Sequence, residues 1–146
     1  MIPRYTALCA QLERIPLSII LLAARIGVGA VFFRSGLLKI DSWQFTVQLF
    51  RDEYQVPLLD PVLAAQIATA VELGLPPLLF IGLATRLATL PLLGMIAVIQ
   101  VFVYPNAWSE HLMWASILTL LLSRGAGAIS LDRWISAPRR GERRAG

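Results

Sequence analysis

Four apolar runs divide this chain, and each approaches the length that a helix needs to cross a bilayer. The hydrocarbon core is about 30 Å thick, so a spanning helix takes about 20 mostly apolar residues. The runs are 16–38 (PLSIILLAARIGVGAVFFRSGLL), 61–83, 86–104 (RLATLPLLGMIAVIQVFVY) and 110–123. The fourth is the shortest, and an extension through RGAGAISL would lengthen it. Of the 146 residues, 57% are hydrophobic and only 15% charged, where soluble domains carry about 25% charge. A soluble fold needs more polar surface than this chain supplies. The sequence predicts an all-α membrane protein: a four-transmembrane-helix bundle with an extracytoplasmic amphipathic helix between helices 1 and 2. Residues 1–138 read as one membrane domain and 139–146 as a basic, disordered tail.

The connections are unequal. ATR separates the second and third runs and PNAWS the third and fourth, so those neighbours must pack antiparallel. The first connection, 40–60, is long. In it Trp43, Val47, Phe50 and Tyr54 recur on one helical face, with Asp41 or Ser42 placed to cap the helix. Such a helix either lies on the membrane or folds over the mouth of the bundle. Pro76, Pro77 and Pro91 fall inside helices, where each removes a backbone donor.

Basic residues orient the bundle. Arg4, Arg14, Arg86 and the stretch from Arg124 onward fall on one side, with only Arg51 and Lys39 on the other. The basic side is expected to be cytoplasmic, with both termini inside. The net charge of +4 lies largely in Arg139, Arg140, Arg143 and Arg144. No aromatic residues interleave with them as nucleic-acid stacking would need, so anionic lipid is the expected contact. The first run continues past Arg25 without a small-residue cleavage site, so it reads as a retained helix rather than a signal peptide. Cys9 is the single cysteine, which excludes a self-contained dithiol oxidoreductase.

The stretch TAVELGLPPLLFIGLATR carries one acidic residue, Glu72, near the centre of the second run. A central charge on a membrane helix costs at least about 2.5–3.5 kcal/mol. Glu72 is roughly 16 Å from the start of its run, and Arg25 roughly 14 Å from the start of its own on the antiparallel neighbour, at about 1.5 Å per residue. Similar depth predicts a buried Arg25–Glu72 ion pair. Lys39 shares the Arg25 face near the outer end, together with Gly29, Phe32 and Gly36. Arg34 lies about 180° from Arg25; either it snorkels to the headgroups, or the glycines bend the helix. Arg34, Lys39, Gln66, Gln100 and His111 form the candidate lining of a polar pocket opening outward. No metal site is predicted, because Glu110, His111 and Glu53 make no ligand motif. There is also no Ser-His-Asp set, phosphate loop or H-E-x-x-H.

RIGVGAVFFRSGLLK, then ELGLPPLLFIGLATR, then GAGAISLDR resembles the DoxX family of small four-helix membrane proteins, over 21–134. The resemblance rests on Arg25, Gly36, Lys39, Glu72, Gly82, Arg86, Ser130 and Asp132. The chain departs from the family in GLPPLL, where relatives often have small residues after the glutamate. SWQFTVQLFRDEYQVPLL and VIQVFVYPNAW look closer still to a subgroup encoded beside copper-binding peptides, the bufferins. The resemblance implies a bacterial inner-membrane protein in redox or copper stress, with a protein partner and a quinone as the cofactor to test. Three readings stay open from the residues. In the first, a quinone-linked redox subunit uses Glu72 and Arg25 to orient ring oxygens. In the second, an accessory anchor or assembly subunit uses them only structurally, and in each a homo-oligomer is left open. The third is a small-molecule or metal-peptide carrier.

Overall fold

The computed structural model describes residues 11–136. Cys9, Arg4 and the arginines of the 139–146 tail lie outside the described residues. The described elements are all helical. α1 is Leu17–Asp41, α2 is Trp43–Leu49, α3 is Pro61–Ile81, α4 is Thr85–Val98, α5 is Trp108–Arg124 and α6 is Leu131–Ser136. Two π-helical segments, Phe50–Tyr54 and Ile99–Val103, continue α2 and α4. Among the described residues, three helices are long and apolar enough to cross a membrane: α1, α3 and α4 with its π extension. α5 is shorter, at 17 residues, and packs with them.

Helix ends follow local chemistry. Pro61 opens α3, and Asp60 caps it by accepting from the backbone N–H groups of Val62 and Leu63 at 2.9 and 3.2 Å. α3 stops at Gly82, whose φ of +69° lies in the left-handed region that favours glycine. α5 stops at Arg124, because Gly125 and Gly127 have φ of +77° and +83°. The stretch RGAGAISL is therefore a turn and does not lengthen the fourth helix. Ser42 precedes α2 without a side-chain capping bond; Thr46 Oγ1 instead donates to the Lys39 carbonyl.

The core is a single apolar layer between helices. Leu21, Val28 and Phe32 of α1 meet Leu79 of α3, Leu92 and Ile96 of α4, and Leu118 and Leu121 of α5. Many large apolar side chains face outward, among them Ile19, Leu37, Leu63, Leu87 and Leu112, as lipid contact requires. α1 and α3 pack most extensively, through small residues. The Cα of Gly29 leaves room for the Phe80 ring, and that of Gly36 for Glu72 and Leu73. The amphipathic segment folds over one end of the bundle. Phe50 packs on Ala64 and Ala65 of α3, with Trp43, Val47 and Tyr54 beside it.

Candidate functional site

Two polar clusters lie at opposite ends of the α1–α3 seam. Their separation follows from the glycine contacts. Gly36 abuts Glu72, Gly29 abuts Phe80, and Gly82 abuts Arg25. Glu72 therefore faces the Gly36 turn of α1, some 11 residues and roughly 16 Å along the helix from Arg25. The expected Arg25–Glu72 ion pair does not form. Equal distance from the starts of the two runs did not mean equal depth, because α1 and α3 are offset along their axes.

Glu72 pairs with Lys39 instead. Lys39 Nζ lies 2.7 Å from Glu72 Oε2, and donates to Oε1 at 2.9 Å. Ser35 Oγ accepts from Lys39 Nζ at 2.9 Å and donates to Glu72 Oε1 at 3.1 Å. The three groups close a ring, one turn of α1 supplying the hydroxyl and the ammonium at i and i+4. The Glu72 side chain is 4% exposed and that of Lys39 18%. Oε2 is the oxygen nearer the ammonium, and with two acceptor sites on each oxygen the carboxylate keeps acceptor capacity beyond its lysine and serine. Pro76, four residues on, has no N–H to give the Glu72 backbone carbonyl.

This ring borders a cavity of about 490 Å³, within the range of about 300–1,000 Å³ usual for small-molecule sites. His111 and Trp114 of α5 line its opposite wall, and Phe50, Tyr54 and Tyr104 its end. His111 is buried, and its Nδ1 lies 2.7 Å from Gln100 Oε1. Gln100 Nε2 donates to the Pro105 carbonyl at 2.8 Å. With the amide so oriented, Nδ1 is the histidine donor, and in that tautomer Nε2 is the acceptor. The Trp114 ring stands 5.7 Å from the histidine and edge-on to Phe32 at 6.1 Å. At the end of the cavity Tyr104 donates to Glu53 Oε1 at 2.9 Å, with the Tyr54 hydroxyl 3.4 Å away. The bond with Tyr54, then burial, then Glu53 hold the Tyr104 hydroxyl above the usual phenol range.

Of the proposed pocket residues, Lys39 and His111 line this cavity. Gln100 stands behind His111 rather than in the wall. Arg34 and Gln66 are exposed on the outside of the bundle and are corrected: an ideal helix turns Arg34 away from the Lys39 face. Ser35, Tyr54, Tyr104 and Trp114 went unassigned. Ser35 had a readable signal, since it sits one turn before Lys39.

The second cluster closes the other end. Arg25 is fully buried. Nη1 donates to the Leu79 carbonyl at 3.2 Å, and Nη2 donates to the Ile129 carbonyl. Asp132 accepts from the backbone N–H groups of Ala84 and Thr85 at 2.7 and 3.1 Å, capping α4. Its own N–H donates to the Gly82 carbonyl at 2.9 Å. Ser130 Oγ donates to the Gly127 carbonyl at 2.6 Å, and Arg86 Nη2 to the Ser123 carbonyl at 3.2 Å. Gly82, Ser130 and Asp132 thus gather around Arg25, and with Arg86 at Ser123 and Gly125 they tie the segment after α5 to the α3–α4 turn. Every one of these bonds ends on backbone, so the arrangement is a lock rather than a reaction site. Gly36 belongs to the first cluster, under Glu72.

A family model described as DoxX matches residues 20–105. That span includes Arg25, Gly36, Lys39, Glu72, Gly82 and Arg86, and leaves out Ser130 and Asp132. No curated protein and no solved structure matches the chain.

Proposed function

Because the chain belongs to the DoxX family, whose model matches more than half of its residues, we propose that it is an accessory membrane subunit whose Lys39–Glu72 cavity holds a quinone head group. α5 is then the fourth span of the bundle. The end carrying Arg86, Arg124 and Arg133 faces the cytoplasm, by the positive-inside bias, and the cavity opens on the other half of the bacterial inner membrane.

The observation that carries the reading is the buried Lys39–Ser35–Glu72 ring on the wall of a largely apolar cavity. A structural ion pair needs no cavity beside it. The residues fit a quinone. The Lys39 ammonium would donate to a ring carbonyl, and His111 Nε2 and the remaining acceptor sites of the Glu72 carboxylate would accept from a ring hydroxyl. Trp114, Met95 and Phe50 contact the ring faces. When bound, a quinone supplies the electron-accepting chemistry that the cavity side chains lack. Electrons come from a protein partner, in a redox or copper-stress complex of the kind the bufferin-linked resemblance implies. The test is the quinone content of gently purified protein, by organic extraction and mass spectrometry. Near-stoichiometric quinone that falls in a folded Glu72→Gln variant supports the reading. Quinone at background level overturns it.

A second reading, a non-catalytic anchor, has its own supporting observation: both Nη groups of Arg25 and both carboxylate oxygens of Asp132 bond to backbone. On that reading Glu72→Gln weakens assembly with the partner and removes no ligand.

A further inference from the structure

The cavity has a side as well as an end, and the side faces lipid. α3 and α4 are joined by residues 82–84 at the Arg25 end of the bundle. Towards the Glu72 end, each presents one apolar stripe to the cavity. On α3 the stripe is Ala64, Ile67 and Ala68, and on α4 it is Pro91, Met95 and Val98. Ile67 is 46% exposed and Val98 38%, and Pro91 is exposed too. A residue that borders the cavity and also faces the outside of the bundle marks an opening. Ile67 lies six residues inside the start of α3, roughly 9 Å, and Val98 five residues before Val103, roughly 7 Å. Both sit within segments apolar enough to span a membrane. The opening is therefore level with acyl chains. The end of the cavity, by contrast, is covered by Phe50, Tyr54 and Tyr104, tied together by ring contacts at 5.0 and 5.7 Å.

From this geometry we propose that the cavity takes a membrane-resident amphiphile through a lateral portal between α3 and α4, with the head on the Lys39–Ser35–Glu72 ring and the apolar tail left in lipid across Ile67 and Val98. The proposal rests on the cavity being a head-group site, as argued above. The portal residues carry no charge and no side-chain hydrogen-bonding group, so ions and free peptides find no polar path there. A tail lying in the portal stays in an apolar medium throughout, and only the head exchanges lipid for protein. Ile67 and Val98 then select for ligands with a flexible tail attached to a compact polar head.

The experiment uses the full-length protein in nanodiscs and two probes: a tailless benzoquinone, and the same head bearing a decyl tail. Binding is followed by quenching of Trp114, with Trp114→Phe as the blank and concentrations expressed per lipid. Ile67→Phe and Val98→Phe narrow the portal without touching the polar ring, and circular dichroism checks that the helices persist. The expected result is loss of the tailed probe's affinity by about tenfold or more in the double variant, with the tailless probe changed less than about twofold. Four other results overturn the inference. Equal binding of the tailed probe to wild type and variant removes the portal. Equal loss of both probes shows that the substitutions closed the cavity itself. Binding of the tailless probe alone to wild type leaves the head-group site standing and rejects the tail route. Binding of neither probe to wild type rejects both readings.

Discussion

Separating Lys39 from Glu72 tests how the buried pair is held. The two partners are not equally trapped. Glu72 is 4% exposed, at the middle of α3, whereas Lys39 is 18% exposed, near the end of α1. Lys39→Met leaves a carboxylate with one hydroxyl, from Ser35, and nowhere to turn. Breaking a buried pair from one side costs about 3–5 kcal/mol. Glu72→Gln leaves an ammonium on a four-carbon stem that can reach the bundle end, and the amide still accepts from Ser35. Its cost is about 1–3 kcal/mol, that of a weakened charged hydrogen bond. The double variant removes both charges, so it is expected to be more stable than Lys39→Met alone, by about 2 kcal/mol. Apparent melting temperatures in mild detergent read these differences, at about 2–4 °C per kcal/mol for chains near this size. Lys39→Met should then melt roughly 10 °C below wild type, with Glu72→Gln and the double variant between. A double variant no more stable than Lys39→Met would refute the reasoning, because the penalty would then come from lost packing and not from a stranded charge.

Three further outcomes follow from the Arg25 end and the cavity end. Gly82→Ala should lose about 3 kcal/mol or more of apparent stability, since its φ is +69° and a Cβ there would overlap Arg25 Nη1; Gly74→Ala, with nothing within 4 Å, should match wild type or gain up to about 1 kcal/mol. Asp132→Asn should cost about 0.5–2 kcal/mol by weakening the α4 cap, measured as accelerated hydrogen exchange at Ala84 and Thr85 while the Lys39 end is unchanged. In an absorbance titration, the difference between wild type and Tyr104→Phe should show one phenol ionising above the ordinary tyrosine range. The neutral phenol is the favoured form, so its hydrogen bonds persist below that range and are lost as the pH climbs through the raised value; a normal titration would show that the Tyr54 and Glu53 contacts do not hold in solution.

The helical class could be read directly, because apolar run length is a one-dimensional property. The face of α1 was readable for the same reason. Arg25, Gly29, Phe32 and Gly36 share a line by helical angle, and all four are buried. The pairing of charges was not readable, because it depends on how far two helices slide past each other. That offset is decided by Phe80 fitting at Gly29 and Leu73 at Gly36, and no periodicity within a single helix encodes it. Distance from each run's first residue was a poor substitute, since α1 extends to Asp41, three residues beyond its expected end at Leu38. The fate of RGAGAISL was open for a related reason. Its glycines could have been small packing residues within a helix, and only the contacts of Arg86 and Leu21 around Gly125 and Gly127 make them turn residues.

The offset also separates two kinds of buried charge that look alike in sequence. Arg25 and Glu72 both interrupt apolar runs, and insertion cost alone makes each a functional candidate. What distinguishes them is where their hydrogen-bonding capacity goes. Arg25 gives its Nη groups to the Leu79 and Ile129 carbonyls and abuts Gly82, and its side chain lines neither the Glu72 cavity nor the hollow beside Ser130 and Asp132. It satisfies the carbonyls that a helix end and a turn leave over, which is what a cation near a helix C-terminus does best. Glu72 lines a cavity, keeps acceptor sites on its carboxylate beyond those its lysine and serine take, and has a proline where its own backbone carbonyl would have found a donor. Polar capacity that protein groups leave unused inside an apolar bundle is costly unless something else uses it. The Arg25 end also buries unpartnered groups, Arg25 Nε and Thr85 Oγ1, but the Lys39–Glu72 end sets a buried charged pair on the wall of an apolar cavity, and on the proposed function that is the end where a ligand improves the energy of the fold. A ligand bound there should raise the melting temperature of wild type and lose that effect in the Lys39→Met/Glu72→Gln protein, while Asp132→Asn, altered only at the lock, keeps it.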